Sequence, residues 1–299
     1  MVPYLFYPLL AALLALIGAF SFFLYAKEEK KFEKIAGSLL GGIAIVATVA
    51  VLVCFSVYYT REIATAEDYA SVSSYRLWIG AVAITVIISV LCVFFGRNSN
   101  KKNDTKAVTY AAICIAMSFA LSYIRLFKLP QGGSITLVSL LPLMFYSQMF
   151  GIRKGVVAGI IYGILQAMQD PYILHPAQFL LDYPLAFAAI GLCSLFTQKG
   201  IVGVKGIVLF GCGSVLSVIL RYLSHVISGI FAFSMYAAEG YGAVAWGFLY
   251  NTFAFADMGI ALAVGILMLC NSAFLKVINK TTRADLPEIS EKAESSVEV

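Results

Sequence analysis

Charged residues are scarce in this sequence of 299 amino acids. Asp, Glu, Lys and Arg together make up 12% of the chain, whereas apolar types make up 61% and the mean hydropathy is +0.89. A soluble domain carries about 25% charged and about 45–50% apolar residues. The shortage of charge therefore excludes a water-soluble globular protein, a disordered chain and a nucleic-acid-binding protein. It indicates a polytopic protein whose partner is the lipid bilayer.

The residues of common metal and nucleotide sites are also missing. There are two histidines, and the six cysteines lie in apolar runs without a C-x-x-C pair. We therefore predict buried, small hydrophobic cysteines, no disulfide and no metal site. The patterns G-x-x-x-x-G-K-[ST], G-x-S-x-G and H-E-x-x-H are absent, so we expect no catalytic residue, no cofactor and no hydrolysis of ATP by this chain.

Apolar runs long enough to cross a bilayer recur along the chain, since a helical span needs about 20 residues. We predict an all-α fold of nine transmembrane helices, at 3–25, 37–59, 76–95, 107–124, 135–150, 153–168, 176–197, 203–231 and 243–272. A basic cytoplasmic linker, 97–106, separates a three-helix part of unknown role (1–96) from a six-helix domain (107–275). Residues 276–299 are polar and predict a disordered cytoplasmic tail.

The basic residues predict an orientation for these spans. With the N-terminus outside and the C-terminus in the cytoplasm, 16 of the 21 Lys and Arg residues fall on the cytoplasmic side and four on the outer side. This bias follows the positive-inside rule for membrane proteins. We therefore expect a multi-pass protein of a bacterial plasma membrane.

Polar side chains at membrane depth are costly, so each one requires a partner, a cavity or a function. Gln178 and Asp182 are four residues apart and share one helix face. A bound organic cation would neutralise the Asp182 carboxylate, but a structural hydrogen bond to a neighbouring helix would serve equally well. The residues alone leave both interpretations open.

A second polar group lies further along the chain. Arg221 and Asp257 are each about 23 Å from the cytoplasmic end of their helices, at 1.5 Å per residue, and we predict a buried structural ion pair between them. His225 and Asn251 reach the outer level expected of Asp182. Tyr and Trp side chains collect there too, as in an interfacial belt or an aromatic cage for a cation.

Three stretches resemble the thiamine-specific S-component of energy-coupling factor (ECF) transporters. They are KLPQGGSITLVSLLPL, which begins at Lys128, YILHPAQFLLDYPLAF, which begins at Tyr172, and the block from Arg221 to Asn251. The resemblance covers about 106–275. It implies a six-helix subunit that binds thiamine from outside with high affinity and then associates with a transmembrane coupling subunit and two ATPases.

The resemblance also implies roles for particular residues. The substrate-binding positions of the family fall on Asp182, Tyr183, His225, Asn251, Trp246, Phe233, Tyr172 and Tyr162. We expect Asp182 to accept from the aminopyrimidine ring, the aromatic side chains and His225 to stack, and Asn251 to bond a ring. A lid would form from Gln131, Gly132, Gly133 and Ser134, and the coupling subunit would contact the small-residue stripe Ala112, Ala116 and Ala120.

Three alternatives stay open from the sequence. The first is an S-component for another vitamin or for a thiamine precursor such as a lone pyrimidine, which has no thiazolium cation. The second is a self-sufficient secondary carrier. The third is an intramembrane enzyme built on Asp182 and His225, although no serine or cysteine has an evident place beside them.

Overall fold

A computed structural model describes residues 72–98 and 104–286. The helices, in chain order, are α1 (Ser74–Phe95), α2 (Asp104–Ser122), α3 (Leu141–Phe150), α4 (Ile152–Gln169), α5 (Pro176–Leu192), α6 (Gly203–Ala232), α7 (Ala243–Tyr250), α8 (Phe253–Cys270) and α9 (Ser272–Ala284). Two short strands, β1 (Arg125–Lys128) and β2 (Ser134–Thr136), form an antiparallel hairpin between α2 and α3.

The described residues contain four helical segments long and apolar enough to cross a membrane. These are α1, α2, α6 and the rod Ala243–Cys270 that α7 and α8 form together. The chain is thus a helical membrane protein. The predicted spans at 3–25 and 37–59 lie outside the described residues, so the number nine stays a prediction.

α4 and α5 approach each other closely because α4 carries glycines where the two helices cross. A Cβ added at Gly159 would come within 2.3 Å of the Phe187 carbonyl oxygen, and one at Gly163 within 2.4 Å of the Tyr183 carbonyl oxygen. At this crossing α5 contains a π-helical turn, Leu181–Leu185, with Pro184 inside it. π-Turns are rare and recur at functional sites, and this one carries Asp182.

α1 packs directly on the bundle. Its buried residues Leu77, Ala81, Ile84 and Ile88 recur at helical spacing and form one stripe. That stripe lies against α6 and α5. The opposite side exposes large apolar side chains such as Ile79 and Phe94, as expected for a surface that faces lipid.

Several predicted boundaries are wrong. The predicted span 135–150 begins in strand β2, and its helix starts only at Leu141, where Pro142 fits the first helical turn. The all-α prediction therefore missed the hairpin. Residues 104–106, assigned to the linker, already belong to α2.

The predicted disordered tail also needs correction, because residues 276–284 belong to helix α9. Phe274, Leu275 and Ile278 turn toward the core, and Lys276 and Lys280 are exposed. Asp285, just after the helix, bonds Lys154 at 3.1 Å and Arg97 at 3.3 Å. The polar composition of this segment thus marks an amphipathic helix whose inner face is covered.

The cysteines are only partly as predicted. Cys114 and Cys193 are buried, but Cys212 and Cys270 are exposed. All five cysteines of the described residues are free thiols, and Cys54 lies outside them. The exposed ones sit on apolar helices, where the surface that faces lipid tolerates a small apolar side chain as well as the core does.

Candidate functional site

A cavity with about 930 Å³ of empty space, part of it open to solvent, lies between the hairpin and helices α4 to α8. Asp182 supplies the central carboxylate and aromatic rings supply much of the wall. The lining includes seven of the eight residues predicted to bind substrate, namely Tyr172, Asp182, Tyr183, His225, Phe233, Trp246 and Asn251.

Asp182 is held by three side-chain donors. Its Oδ2 accepts from Ser228 Oγ at 2.5 Å and from Gln178 Nε2 at 2.7 Å, and its Oδ1 lies 2.9 Å from His225 Nδ1. The side chain is 17% exposed. A carboxylate has about four acceptor positions, so Oδ1 can still accept a hydrogen bond from a bound molecule.

Two more polar atoms beside the carboxylate are available. When His225 Nδ1 donates to Asp182, the neutral ring leaves Nε2 as an acceptor, and this buried atom has no hydrogen-bond partner among the described residues. Asn251 Nδ2 donates to the carbonyl oxygens of Gly247 at 2.7 Å and His225 at 3.2 Å. These two bonds turn Asn251 so that none of the described residues donates to its Oδ1. Asp182 Oδ1, Nε2 of the neutral His225 ring and Asn251 Oδ1 are therefore three acceptors on residues that line the cavity.

Aromatic rings form two groups in the wall. Tyr172 and Phe233 lie 5.7 Å apart between ring centroids, and Tyr236 lies within 6.3 Å of both. In the second group, Trp246, Tyr250 and Phe253 follow one another at 6.1 and 5.9 Å, with Phe253 5.6 Å from the His225 ring. Faces of this kind attract cations and flat rings.

The predicted lid residues Gln131, Gly132, Gly133 and Ser134 all line the cavity. Gln131 and Gly132 have φ values of 57° and 93°, so the turn needs a residue that tolerates the left-handed region. The Gly133 amide donates to Tyr250 Oη at 3.2 Å, and that hydroxyl donates in turn to the Pro130 carbonyl oxygen. The hairpin thus closes against α7.

Strand β1 of the hairpin is also fixed by an ionic contact at each of its ends. Arg125 Nη1 lies 2.6 Å and Lys128 Nζ 2.9 Å from Asp170 Oδ2. Partial burial by itself raises the pKa of the Asp170 carboxyl, but the hydrogen bonds and charges of Lys128 and Arg125 outweigh it and hold the pKa below its ordinary value.

On strand β2, opposite Arg125, Thr136 donates to Asp257 Oδ1 from its amide at 2.9 Å and from its hydroxyl at 2.8 Å. Arg221 Nη1 lies 2.8 Å from Asp257 Oδ2, and both charged side chains are almost fully buried. The pair that the sequence suggested as structural thus also anchors the lid strand β2. Arg221 itself reaches the cavity wall.

Two groups of predicted residues lie elsewhere. Tyr162 does not line the cavity: it is 1% exposed and packs edge-on against Phe187 at 4.9 Å. Its place on α4, about two turns from Asp170, puts it in the core, away from the cavity that the other seven residues line. Ala112, Ala116 and Ala120 lie on α2, away from the cavity, and all three are exposed.

Sequence reasoning missed several lining residues. Ser228 follows His225 by three positions, so helical spacing alone places it on the same face. Tyr236, Tyr250 and Phe253 were hidden among many aromatic residues. Gln166 reaches the site only through the end of α4, and no local pattern indicates that.

Comparison with known proteins agrees with this architecture. The chain is 31% identical over 153 residues to "Thiamine transporter ThiT" of Bacillus subtilis (strain 168), an alignment that covers 49% of this chain and 79% of the relative. It is 26% identical over 173 residues to "Thiamine transporter ThiT" of Lacticaseibacillus paracasei, covering 52% of this chain and 84% of the relative.

The fold also resembles that of a solved structure, ThiT from Listeria monocytogenes. The TM-score is 0.50 at 24% sequence identity, and the match covers 63% of this chain and all of the other. At that identity the likeness concerns the fold. The model of the family described as "Thiamine transporter protein (Thia_YuaJ)" matches residues 108–278, which is more than half of the sequence. The chain therefore belongs to the Thia_YuaJ family of thiamine transporter proteins.

Proposed function

We propose that this chain is the high-affinity thiamine-binding membrane subunit, or S-component, of an ECF-type vitamin uptake transporter. The observation that carries the proposal is the Asp182 carboxylate, held by three donors in a cavity walled by aromatic rings. Thiamine joins a cationic thiazolium ring to an aminopyrimidine ring. A carboxylate with aromatic faces suits such a flat cation. The role is transport, as the names of its relatives state, and not catalysis.

In this proposal each of the three acceptors takes a different hydrogen bond from the vitamin. Asp182 Oδ1 accepts from the exocyclic amine of the aminopyrimidine and supplies the negative charge for the thiazolium ring. His225 Nε2 and Asn251 Oδ1 take further hydrogen bonds from the ligand. Tyr172, Phe233 and Trp246 supply stacking faces, whereas His225 acts chiefly through its nitrogens.

In this proposal the hairpin controls access of thiamine to the cavity, and the alanine stripe contacts the coupling subunit that drives release. The hairpin closes the cavity through Tyr250 and must open to admit or free thiamine. Ala112, Ala116 and Ala120 present a smooth, exposed stripe on α2, where a helix of a coupling subunit can approach closely. Two ATPases bound to that subunit would supply the energy, since this chain has no nucleotide motif.

The proposed orientation has the hairpin outside and the C-terminus in the cytoplasm. α8 runs 18 residues from the cavity to α9, and α9 carries Lys276 and Lys280 on its exposed face. The basic residues Arg153 and Lys154 lie in the first turn of α4, at the end away from Asp170. Positive charge at this end supports a cytoplasmic location.

A binding titration of the purified full chain tests the ligand. We expect saturable binding of thiamine and much weaker competition by hydroxymethylpyrimidine, which lacks the thiazolium cation. Equal binding of the two compounds would instead identify a precursor transporter. Detection of chemically altered thiamine after incubation would contradict a pure binding role.

A reconstitution tests the partner. We expect the coupling module to co-purify with the chain, and liposomes that contain only this chain to take up no thiamine when an ion gradient is applied. Gradient-driven uptake by the chain alone would contradict the ECF assignment and establish a secondary carrier.

A further inference from the structure

Helix α1 lies outside the part of the chain that matches the family, residues 108–278, yet it contacts the helices that build the site. Its buried stripe packs on α6 and α5. Those two helices carry Asp182 and all three side chains that hold it, Gln178 on α5 and His225 and Ser228 on α6. A segment in this place can influence the site without touching the ligand.

The most direct link is a hydrogen bond between α1 and the start of α5. Ser74 Oγ, in the first turn of α1, lies 2.9 Å from His175 Nε2. His175 is the N-cap of α5, and its Nδ1 accepts from the Ala177 amide at 3.1 Å. Because Nδ1 accepts, the proton of the neutral ring lies on Nε2 and is donated to Ser74. The Trp78 ring, one turn further along α1, lies edge-on to the imidazole at 6.1 Å.

From His175 the contacts continue to the carboxylate. Gln178 completes the capping box, since its Oε1 accepts from the amides of Leu174 at 2.9 Å and His175 at 3.4 Å. Its Nε2 donates to Asp182 Oδ2 at 2.7 Å and to the Tyr172 carbonyl oxygen at 3.1 Å. One amide side chain therefore couples the cap to both the carboxylate and a wall aromatic.

α1 is itself held firmly. The Ser73 amide donates to the Phe231 carbonyl oxygen at 2.9 Å, and a Cβ added at Gly80 would meet Ile227 Cγ2 at 2.4 Å. Ile227 is the immediate neighbour of Ser228. At the far end, Gln198 Nε2 donates to the Phe95 carbonyl oxygen at 2.5 Å. Because α1 is fixed at both ends, it can hold the side chains that it contacts in one position.

We propose that α1 is a positioning element of the binding site, in which Ser74 acts through the His175 cap to set the π-turn that carries Asp182. This inference rests on the proposed function, because its readout is the affinity for thiamine. It assigns a role to part of the N-terminal region, for which the sequence offered none.

The test compares four forms of the full chain: the parent, Ser74→Ala, Ser74→Thr and Ser73→Ala. The Kd for thiamine is measured well below the melting temperature of each unliganded variant. We expect Ser74→Ala to raise Kd about three- to tenfold, the range for one lost neutral hydrogen bond. Ser74→Thr keeps the hydroxyl and should restore the parental Kd. Ser73→Ala is the matched control, since the Ser73 side chain makes no cap hydrogen bond.

A double-mutant cycle tests whether Ser74 acts through His175. His175→Asn keeps a capping side chain, but the Asn side chain is too short to reach Ser74. Adding Ser74→Ala to this variant should therefore raise Kd no further. The inference would be overturned if Ser74→Ala left Kd unchanged. It would also be overturned if Ser74→Ala raised Kd by the same factor in the His175→Asn background as in the parent. If the parent binds no thiamine, the proposed function fails instead. Should His175→Asn not fold, the Ala and Thr variants of Ser74 still decide the question.

Discussion

Asp182→Asn removes the charge of the central carboxylate while keeping its size. An amide can still occupy the space between His225, Ser228 and Gln178, because its oxygen can accept from Ser228 and Gln178 while its NH2 group donates to His225 Nδ1 in the other ring tautomer. The unliganded protein should therefore stay folded. Thiamine, in contrast, loses a charge-assisted hydrogen bond worth about 1.5–3 kcal/mol, so Kd should rise about 10- to 150-fold.

The assay is a thiamine titration of the purified parent and variant, in which tryptophan fluorescence or calorimetry detects binding. Glu239→Gln provides the matched control, because Glu239 is an exposed acid on the loop between α6 and α7 and does not line the cavity. Its Kd should equal that of the parent. A Kd for Asp182→Asn within twofold of the parental value would refute the assignment of Asp182 as the ligand for the cation.

Three further predictions concern the lid, the ion pair and the stripe. Gly133→Ala places a Cβ 2.8 Å from Tyr250 Oη and should hold the lid ajar, which stopped-flow would detect as faster thiamine release. Gly242→Ala meets nothing within 4 Å and should leave the rate unchanged. Asp257→Asn leaves a buried guanidinium without its charge partner, so thermal unfolding should record a loss of about 3–5 kcal/mol of stability. Ala116→Leu should abolish co-purification of the coupling module, while the titrated Kd for thiamine stays at the parental value.

Each of these has a contradicting result. Equal release rates for Gly133→Ala and the parent would mean that the hairpin does not gate the cavity. An unchanged melting curve for Asp257→Asn would mean that the buried pair contributes nothing to stability. Retained co-purification of Ala116→Leu would move the docking surface away from α2.

Long periodic segments were predictable because their signal is local. The predicted span 203–231 matches α6 within one residue at its C-terminal end, and α5 begins at Pro176 as predicted. The hairpin was not predictable, since β1 and β2 are four and three residues long and depend on Asp170, Asp257 and Tyr250 for support. The break between α7 and α8 at Asn251 escaped notice for a similar reason: its side chain bonds the α6 backbone.

Within the site, residue type drew attention to a few polar positions, and the family resemblance supplied the rest of the predicted set. Asp182 and His225 stood out because charge and histidine are rare in this chain, and the structure brings them to 2.9 Å. Tyr162 lies in the core and not in the cavity wall, a difference that the sequence does not show because a tyrosine suits either place. Only the packing of α4 on α5 distinguishes the two.

The sequence by itself thus determined the membrane setting, most helix positions and the small set of polar residues at depth, because hydrophobic runs and rare charges are visible locally. Tertiary structure alone decided that Gln178, His225 and Ser228 all bond Asp182, and that Asp257 bonds strand β2 of the hairpin. It also decided that α1 reaches the cap of α5. These contacts join residues far apart in the chain, and no local periodicity encodes which helices meet.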